Sequence, residues 1–331
     1  MTRRAGMIGT GWMGEAIAAD FRLAGWDLVA VAGRDAARTA HFASEHGIAR
    51  AVGVDELLRM DDLDLVYIAT THDSHLALAK AALEHGHAVL VEKAFTVDAA
   101  EAEELVSLAR ERGLFLMEAM WMRFTPALRT TQSLIADGAI GDPRTVLASF
   151  GFALPPGPHR LRDKARGGGS LLDQGVYPLA LADVVFGEPS TVNATGSQID
   201  ADGTDVGVDT ELGMLLGYPG GQQAVLATSI RADLPFDASI GGYGGRIDLE
   251  GAFWGSESIL VRRAGAEPER IELPHEGRGY TPMLRATAEA LEDGLTEHPL
   301  CDLAATLRVM RTADLVRAAL PRTAPMASSG A

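Results

Sequence analysis

Cysteine is almost missing: Cys301 is the single one in 331 residues. That excludes an intramolecular disulfide framework, no Cys/His cluster has zinc spacing, and no metal site is expected. A reducing cytoplasm fits this usage. Long hydrophobic runs are missing too, so nothing approaches membrane-spanning length. The opening MTRR enters a strand directly and leaves no room for the apolar core and cleavage site of a signal peptide. Positive charge is scarce, with 29 Lys plus Arg against 45 Asp plus Glu and a net charge of −16. Such a balance repels nucleic acid and anionic membranes and favours small-molecule business. The chain is 47% hydrophobic, enough for a sizeable core and long for a single one, so two domains are expected.

Residues 5–14 read AGMIGTGWMG, an apolar run feeding Gly9, Gly11 and Gly14 and then a helical pattern. This is a dinucleotide-binding turn in its proper context, a strand before and a helix after. Gly9 allows the tight turn, Gly11 lets the backbone approach a pyrophosphate, and Gly14 lets helix and strand pack closely. With Thr10, Trp12 and Met13 they form the opening of a helix whose free N–H groups and positive dipole end suit phosphates.

Strands are expected at 5–9, 28–32, 65–70, 88–92 and 114–118, with helices at 13–24, 36–46, 74–85 and 99–112 between them. That alternation implies a parallel, doubly wound sheet. Gly25, Gly47, Gly86 and Gly113 stand where helices should stop, and Asp98 reads as an N-cap. After Pro126 the pattern changes to a helix at 128–137, a strand at 145–152, and a stretch PPGPHRLRDKARGGG without periodicity that reads as an active-site loop. A helix at 170–186 precedes strands at 191–198, 205–217, 222–230, 238–240, 246–249 and 258–261. Helices at 282–294 and 302–320 close the chain. The expected fold is α/β: a Rossmann domain over 1–121, an α+β substrate-binding and dimerisation domain with a mostly antiparallel sheet over 122–320, and a frayed tail over 321–331.

The strand at 28–32 ends VAGRD, giving Gly33 and Arg34 where an NAD-preferring protein would carry an acidic residue for the ribose 2′-hydroxyl. A small residue followed by a planar cation suits a 2′-phosphate, so NADP is the expected cofactor, with NAD possible. Asp35 reads as a helix cap. The segment ATTHDSH places Thr70, Thr71, His72 and His75 near the carboxyl edge of the sheet, where open α/β sheets bind ligands. From VLVEKAF, Glu92 and Lys93 emerge at the same edge, where a charge is costly unless paired or functional. A lysine there can bind an alcohol or carbonyl oxygen and stabilise developing charge. In GGGSLLDQGVYP, Asp173 and Tyr177 lie four apart and share a helix face. A tyrosine can exchange the proton of an alcohol, aided by an ammonium that favours phenolate; a core tyrosine is the alternative reading.

These motifs resemble the glucose-fructose oxidoreductase, inositol dehydrogenase and MocA (Gfo/Idh/MocA) family over nearly the whole chain. In that family the lysine of an EKP motif and a D-x-G-x-H/Y motif meet at the nicotinamide, so the resemblance implies Lys93, Asp173 and Tyr177 as the catalytic set. Ala94 stands where the family pattern has proline, which would relax the turn that aims Lys93. Tyr177 replaces a histidine, as in the branch with glucose-fructose oxidoreductase and dimeric dihydrodiol dehydrogenases. RGLFLMEAMWMRFTPAL resembles the dihydrodiol and D-xylose dehydrogenase branch, which implies Trp121 and Arg123 beside nicotinamide and substrate, with Phe150 near. Arg160 is a candidate substrate contact, as are His159 and Arg162, though solvated loop charges are the alternative for all three.

The expected function is hydride transfer between NADP and a carbinol or carbonyl carbon of a sugar or cyclic polyol. Tyr177 would move the hydroxyl proton, Lys93 would position the oxygen, and Asp173 would orient the pair. An NAD-dependent glycosidase and a non-catalytic dinucleotide-binding regulator are the alternatives. The resemblance also implies a homo-oligomer, a dimer or dimer of dimers, through the flat face of the second sheet.

Overall fold

The computed structural model describes residues 2–199 and 207–320, so the expected tail over 321–331 lies outside the described residues. Short apolar runs punctuated by glycine build a six-stranded parallel sheet from β1 (Arg3–Ile8), β2 (Trp26–Ala32), β3 (Arg50–Val52), β4 (Leu65–Ile68), β5 (Val89–Val91) and β6 (Leu116–Glu118). Its order is β3-β2-β1-β4-β5-β6, the doubly wound arrangement. Every residue of β4 and β5 is buried, as in a sheet with helices on both faces. Those helices include α1 (Trp12–Leu23), α2 (Ala36–His46), α3 (Val54–Leu58), α4 (His75–Glu84) and α5 (Ala99–Arg112). Asp35 and Asp98 cap α2 and α5 through their carboxylates, as expected. β3 and α3 escape sequence reading because three and five residues hold too little of either period.

The register sets Ile8, Ala32, Ile68, Val91 and Glu118 side by side. The residues that follow, from Gly9 and Gly33 to Glu92, therefore emerge along one carboxyl edge. The strand order reverses between β1 and β4, the switch point at which such sheets bind ligands.

The chain divides into two compact units, Met1–Arg129 with Pro274–Leu307, and Thr130–Leu273 with Arg308–Ala331. This corrects the contiguous split at 121/122, because the 274–307 segment belongs with the Rossmann unit. One tie between them is a buried carboxylate. Asp20 on α1, 1% exposed, accepts backbone N–H bonds from Arg278 (3.1 Å), Tyr280 (2.9 Å) and Thr281 (3.1 Å). It thereby caps α8 (Thr281–Glu292), which has no side-chain cap of its own. Nothing in the local sequence announces a cap that comes from another helix.

The second unit holds β7 (Pro143–Gly151), β8 (Thr191–Ile199), β9 (Val208–Gly217), β10 (Gln223–Ser229), β11 (Ala238–Gly242), β12 (Gly245–Leu249), β13 (Ser258–Arg263) and β14 (Glu269–Glu272). They form one sheet in the order β14-β13-β12-β11-β7-β10-β9-β8, antiparallel except for the β7/β10 pair. The last strand, β14, is not among those read from the sequence. The expected helix at 170–186 is a π turn at Leu171–Gly175 followed by α7 (Val176–Phe186), which packs on β7 and β10. The opposite face of the sheet leaves Leu147, Leu215 and Val225 between 44% and 47% exposed, and the register aligns these three in one row across β7, β10 and β9. Among the described residues no helix is long and apolar enough to cross a membrane, and no group of three His, Cys, Asp or Glu could hold a metal.

Candidate active site

At the carboxyl edge of the first sheet the three glycines have distinct reasons. Gly9 adopts φ +123°, and a Cβ there would collide with the backbone of Ala69. A Cβ on Gly14 would lie 2.8 Å from the Gly9 carbonyl oxygen, so α1 can approach β1 only without a side chain. A Cβ on Gly11 would meet no protein atom within 4 Å. Packing within the protein does not demand glycine at Gly11, whereas close approach of a pyrophosphate does. Gly11 is also the N-cap of α1 and no side chain bonds there, which leaves the helix N-terminus to an anion. These residues fit a dinucleotide.

Arg34 is exposed beside this turn. Arg38 stands in the first turn of α2 and donates through Nη2 to the Thr10 carbonyl oxygen at 2.7 Å. It brings a second guanidinium to the glycine turn and is a functional candidate that sequence reasoning missed. The available signal was its place in the first turn of α2, which starts directly after Arg34 and the Asp35 cap. Gly33 keeps the backbone close to α2, since a Cβ there would sit 2.6 Å from Thr39 Oγ1. Trp12, 73% exposed, and the half-buried Thr10 and Met13 surround the helix start.

Lys93 is half-buried and follows β5, with a cis peptide to Ala94. Two of its expected companions have other partners. Glu92, 2% exposed, accepts from the Tyr67 hydroxyl at 2.6 Å and from the Lys93 backbone N–H at 3.2 Å. Burial pushes its carboxyl up to about 7. His75 has no exposed surface and directs both ring nitrogens to backbone carbonyls, so a direct cofactor contact is corrected to an internal one. His72 is 4% exposed and packs edge-on against His75. Thr70 and Thr71 remain half-buried at the edge, where the Ser74 hydroxyl lies 2.8 Å from the Thr70 hydroxyl.

Glu118, at the end of β6, is 2% exposed. Burial pushes its carboxyl up to about 7 against the pull of Arg123, and Thr306 donates to it at 3.1 Å. Arg123 is itself 6% exposed, a cation held inside rather than offered outward. Trp121 is 6% exposed with its ring 4.8 Å from that of Tyr280.

In the second unit, Asp173 lies in the π turn and accepts from Arg160 Nη2 at 2.8 Å. Tyr177 follows in the first turn of α7. Its ring belongs to an aromatic wall: Phe150 stacks on Trp254 with centroids 3.7 Å apart and planes 13° apart, Tyr177 lies 5.8 Å from Phe150 and 5.7 Å from Trp254, and Phe236 closes edge-on. Trp254 and Phe236 are too distant in sequence from Tyr177 for any spacing to reveal them.

The loop before Asp173 is not structureless. It contains 3-10 turns at Arg160–Arg162 and Lys164–Arg166, capped by His159 and Asp163. Leu161 is buried with Val208 and Ile230. Arg162 donates to the carbonyls of Leu154, Pro155 and Gly157, which makes it a brace rather than a solvated charge or a substrate contact.

Residues 3–120 match the model of the Gfo/Idh/MocA oxidoreductase family with its NAD-binding Rossmann fold, and residues 128–248 match the model of that family's C-terminal domain. The chain belongs to the Gfo/Idh/MocA oxidoreductase family. It is 36% identical over 310 residues to trans-1,2-dihydrobenzene-1,2-diol dehydrogenase of Bos taurus, covering 90% of each chain. The enzyme of that name from Homo sapiens is 35% identical over 306 residues, again covering 90% of each. Among solved structures, a 3-ketoreductase from Actinomadura kijaniata in complex with NADP and TDP-benzene is similar, at 28% identity and TM-score 0.86, over 97% of this chain and 98% of that one. The expected family and α/β fold are borne out, and the protein is an oxidoreductase with an NAD(P)-binding Rossmann unit.

Proposed function

We propose that this protein is an NADP-dependent dehydrogenase or reductase of a cyclic polyol or sugar, with Lys93, Asp173 and Tyr177 as its catalytic residues. The observation that carries the reading is the carboxyl edge of the first sheet: an open cradle at Gly11, a helix N-terminus beside it, and Arg34 and Arg38 without an acidic residue at Gly33. Two guanidiniums there suit a 2′-phosphate. The relatives named for dihydrodiol oxidation and the neighbour bound to NADP point the same way.

The bound nicotinamide supplies the hydride donor or acceptor. Lys93 donates to the reacting oxygen and offsets charge that develops on it. The Tyr177 hydroxyl takes or returns the hydroxyl proton, and Asp173, held by Arg160, orients that hydroxyl. The aromatic wall of Phe150, Trp254 and Phe236 offers flat apolar surface to one face of a ring, which favours a cyclic diol or pyranose over an open chain. Thr10, Trp12, Met13, Thr70 and Thr71 line the cofactor, and Trp121 borders the substrate.

The exposed row Leu147, Val225 and Leu215 lies in an open groove of about 1090 Å³ on the second sheet, rimmed by Arg246, Asp248 and Arg262. An apolar centre with a charged rim supports a homo-oligomer built through this face. The single cysteine, free and fully buried, agrees with a cytoplasmic setting.

Thermal shift with NADP and NAD on wild type and Arg34→Ala tests the cofactor, followed by turnover with trans-1,2-dihydrobenzene-1,2-diol and D-xylose. An NADP-selective rise in melting temperature that the variant loses is expected. A larger NAD shift indifferent to Arg34 would overturn NADP preference and favour the glycosidase alternative.

A further inference from the structure

His75 opens α4 with no exposed surface, in a unit where buried polar atoms must find partners. Nδ1 lies 2.9 Å from the Ala94 carbonyl oxygen and 3.3 Å from that of Phe95, while Nε2 lies 3.3 Å from the Thr70 carbonyl oxygen. All three are acceptors, so a neutral imidazole can donate to one side only, and the shorter contact assigns its proton to Nδ1. Burial favours that neutral form, against the carbonyls and Asp73. The same short turn is held from its amide side by two buried carboxylates. Glu92 accepts from the Lys93 N–H and Glu118 from the Phe95 N–H. Thr70, in turn, abuts the glycine turn, since a Cβ on Gly9 would strike the backbone of Ala69 and come within 3.2 Å of the Thr70 nitrogen.

We infer that His75 is a positioning residue: a buried imidazole staple that ties the Ala94 and Phe95 carbonyls to the start of α4, where that helix leaves the end of β4, and so fixes Lys93 relative to the phosphate-binding turn. It touches neither cofactor nor substrate. Its effect on turnover rests on the catalytic role proposed for Lys93, while its effect on the turn does not.

Three variants separate its two reaches. Asn places a donor where Nδ1 stands, Gln reaches toward Nε2's partner, and Leu fills the space with neither. Hydrogen exchange of amides 93–96 is read first, then the NADP dissociation constant, then kcat with trans-1,2-dihydrobenzene-1,2-diol. In His75→Leu, exchange at 93–96 should rise while β1, β2 and the melting transition stay near wild type. NADP affinity should stay within about threefold, and kcat should fall about 10- to 100-fold, the scale on which a misplaced catalytic group acts. His75→Asn should restore both exchange and kcat, and His75→Gln should not. The inference is overturned if Asn behaves like Leu, if exchange rises throughout the sheet, or if NADP affinity falls in step with kcat. A Lys93→Ala background keeps the two ideas apart: adding His75→Leu there should cost no further turnover. If Lys93→Ala leaves turnover intact, the catalytic reading fails while the exchange result still stands or falls alone.

Discussion

The two sheets place their chemistry in opposite ways. The six-stranded sheet is covered on both faces, its strands β4 and β5 are buried along their whole length, and what remains for a ligand is the carboxyl edge, where backbone groups at Gly9, Gly11 and Gly14 set the geometry. The eight-stranded sheet is covered on one face and open on the other. The chemistry proposed for it rests on side chains gathered from β7, α7 and the turn before β13, with Phe150 stacked on Trp254 beside Tyr177. One site is made by the absence of side chains and the other by their convergence. Substitutions should therefore fail differently in the two: at the edge by obstruction, in the aromatic region by loss of a reacting group.

The largest effect belongs to the second kind. Tyr177→Phe keeps the ring in the aromatic wall and removes only the hydroxyl, so kcat should fall about 10²- to 10⁴-fold, the range for general acid–base groups. The NADP dissociation constant should stay unchanged, and steady-state kinetics with a binding titration checks both. Unchanged kcat would return Tyr177 to the packing role that its ring contacts also suit.

Obstruction at the edge comes next. In Gly11→Val the new Cβ meets no protein atom within 4 Å, so the melting temperature without ligand should hold within a degree or two. Nucleotide affinity should drop by about two decades, roughly 3 kcal/mol. Gly14→Val inverts the pattern, because its side chain strikes the Gly9 carbonyl. Overpacking there should cost about 1–3 kcal/mol of stability. If both variants lose stability equally, the division between ligand-driven and packing-driven glycines collapses.

The open face of the second sheet gives a smaller effect. Val225→Asp puts a charge in the middle of the row formed with Leu147 and Leu215. Sedimentation should show the oligomer weakened by at least about tenfold, since a carboxylate facing an apolar partner surface loses its water. The monomer should keep its fold, because the position is 44% exposed. A single species unaffected by the change would mean that this face is not where copies of the chain meet.

How much was legible follows from the same contrast. Glycine spacing, periodicity and caps are local, so the parallel sheet, the bounds of α2 and α5, and the caps at Asp35 and Asp98 could be read directly. Glu92 and His75 were located correctly at the edge, but their burial was not readable. Whether a polar residue after a strand faces outward or inward depends on Tyr67 and Ala94, which pair with them in space. Arg162 read as a solvated charge or a substrate contact because its three carbonyl partners lie in an aperiodic loop that only the folded turn creates. Trp254 carried no local signal at all.

An effect of similar size, seen only as a slope against pH, concerns the carboxylates behind Lys93, where the edge departs from its backbone rule. Glu118 and Glu92 are both buried and both pushed from 4.5 up to about 7, chiefly by loss of hydration. Their folded values lie above their unfolded ones, so between about pH 4.5 and 7 the native state binds more protons than the unfolded chain. The stability they contribute is complete below the unfolded value and is lost as pH rises through the folded one. Chemical denaturation should therefore show stability falling across that window and levelling above it. Glu118→Gln keeps an acceptor for the Thr306 hydroxyl and cannot ionise. It should flatten the slope and gain about 1–3 kcal/mol relative to wild type on going from pH 5 to pH 8. Arg123 and Lys93 also face this carboxylate and favour its charge. A variant whose stability tracks wild type from pH 5 to pH 8 would mean that these cations offset the lost hydration and keep Glu118 ionised across that window. The edge would then carry a fixed negative charge beside Lys93 instead of a proton.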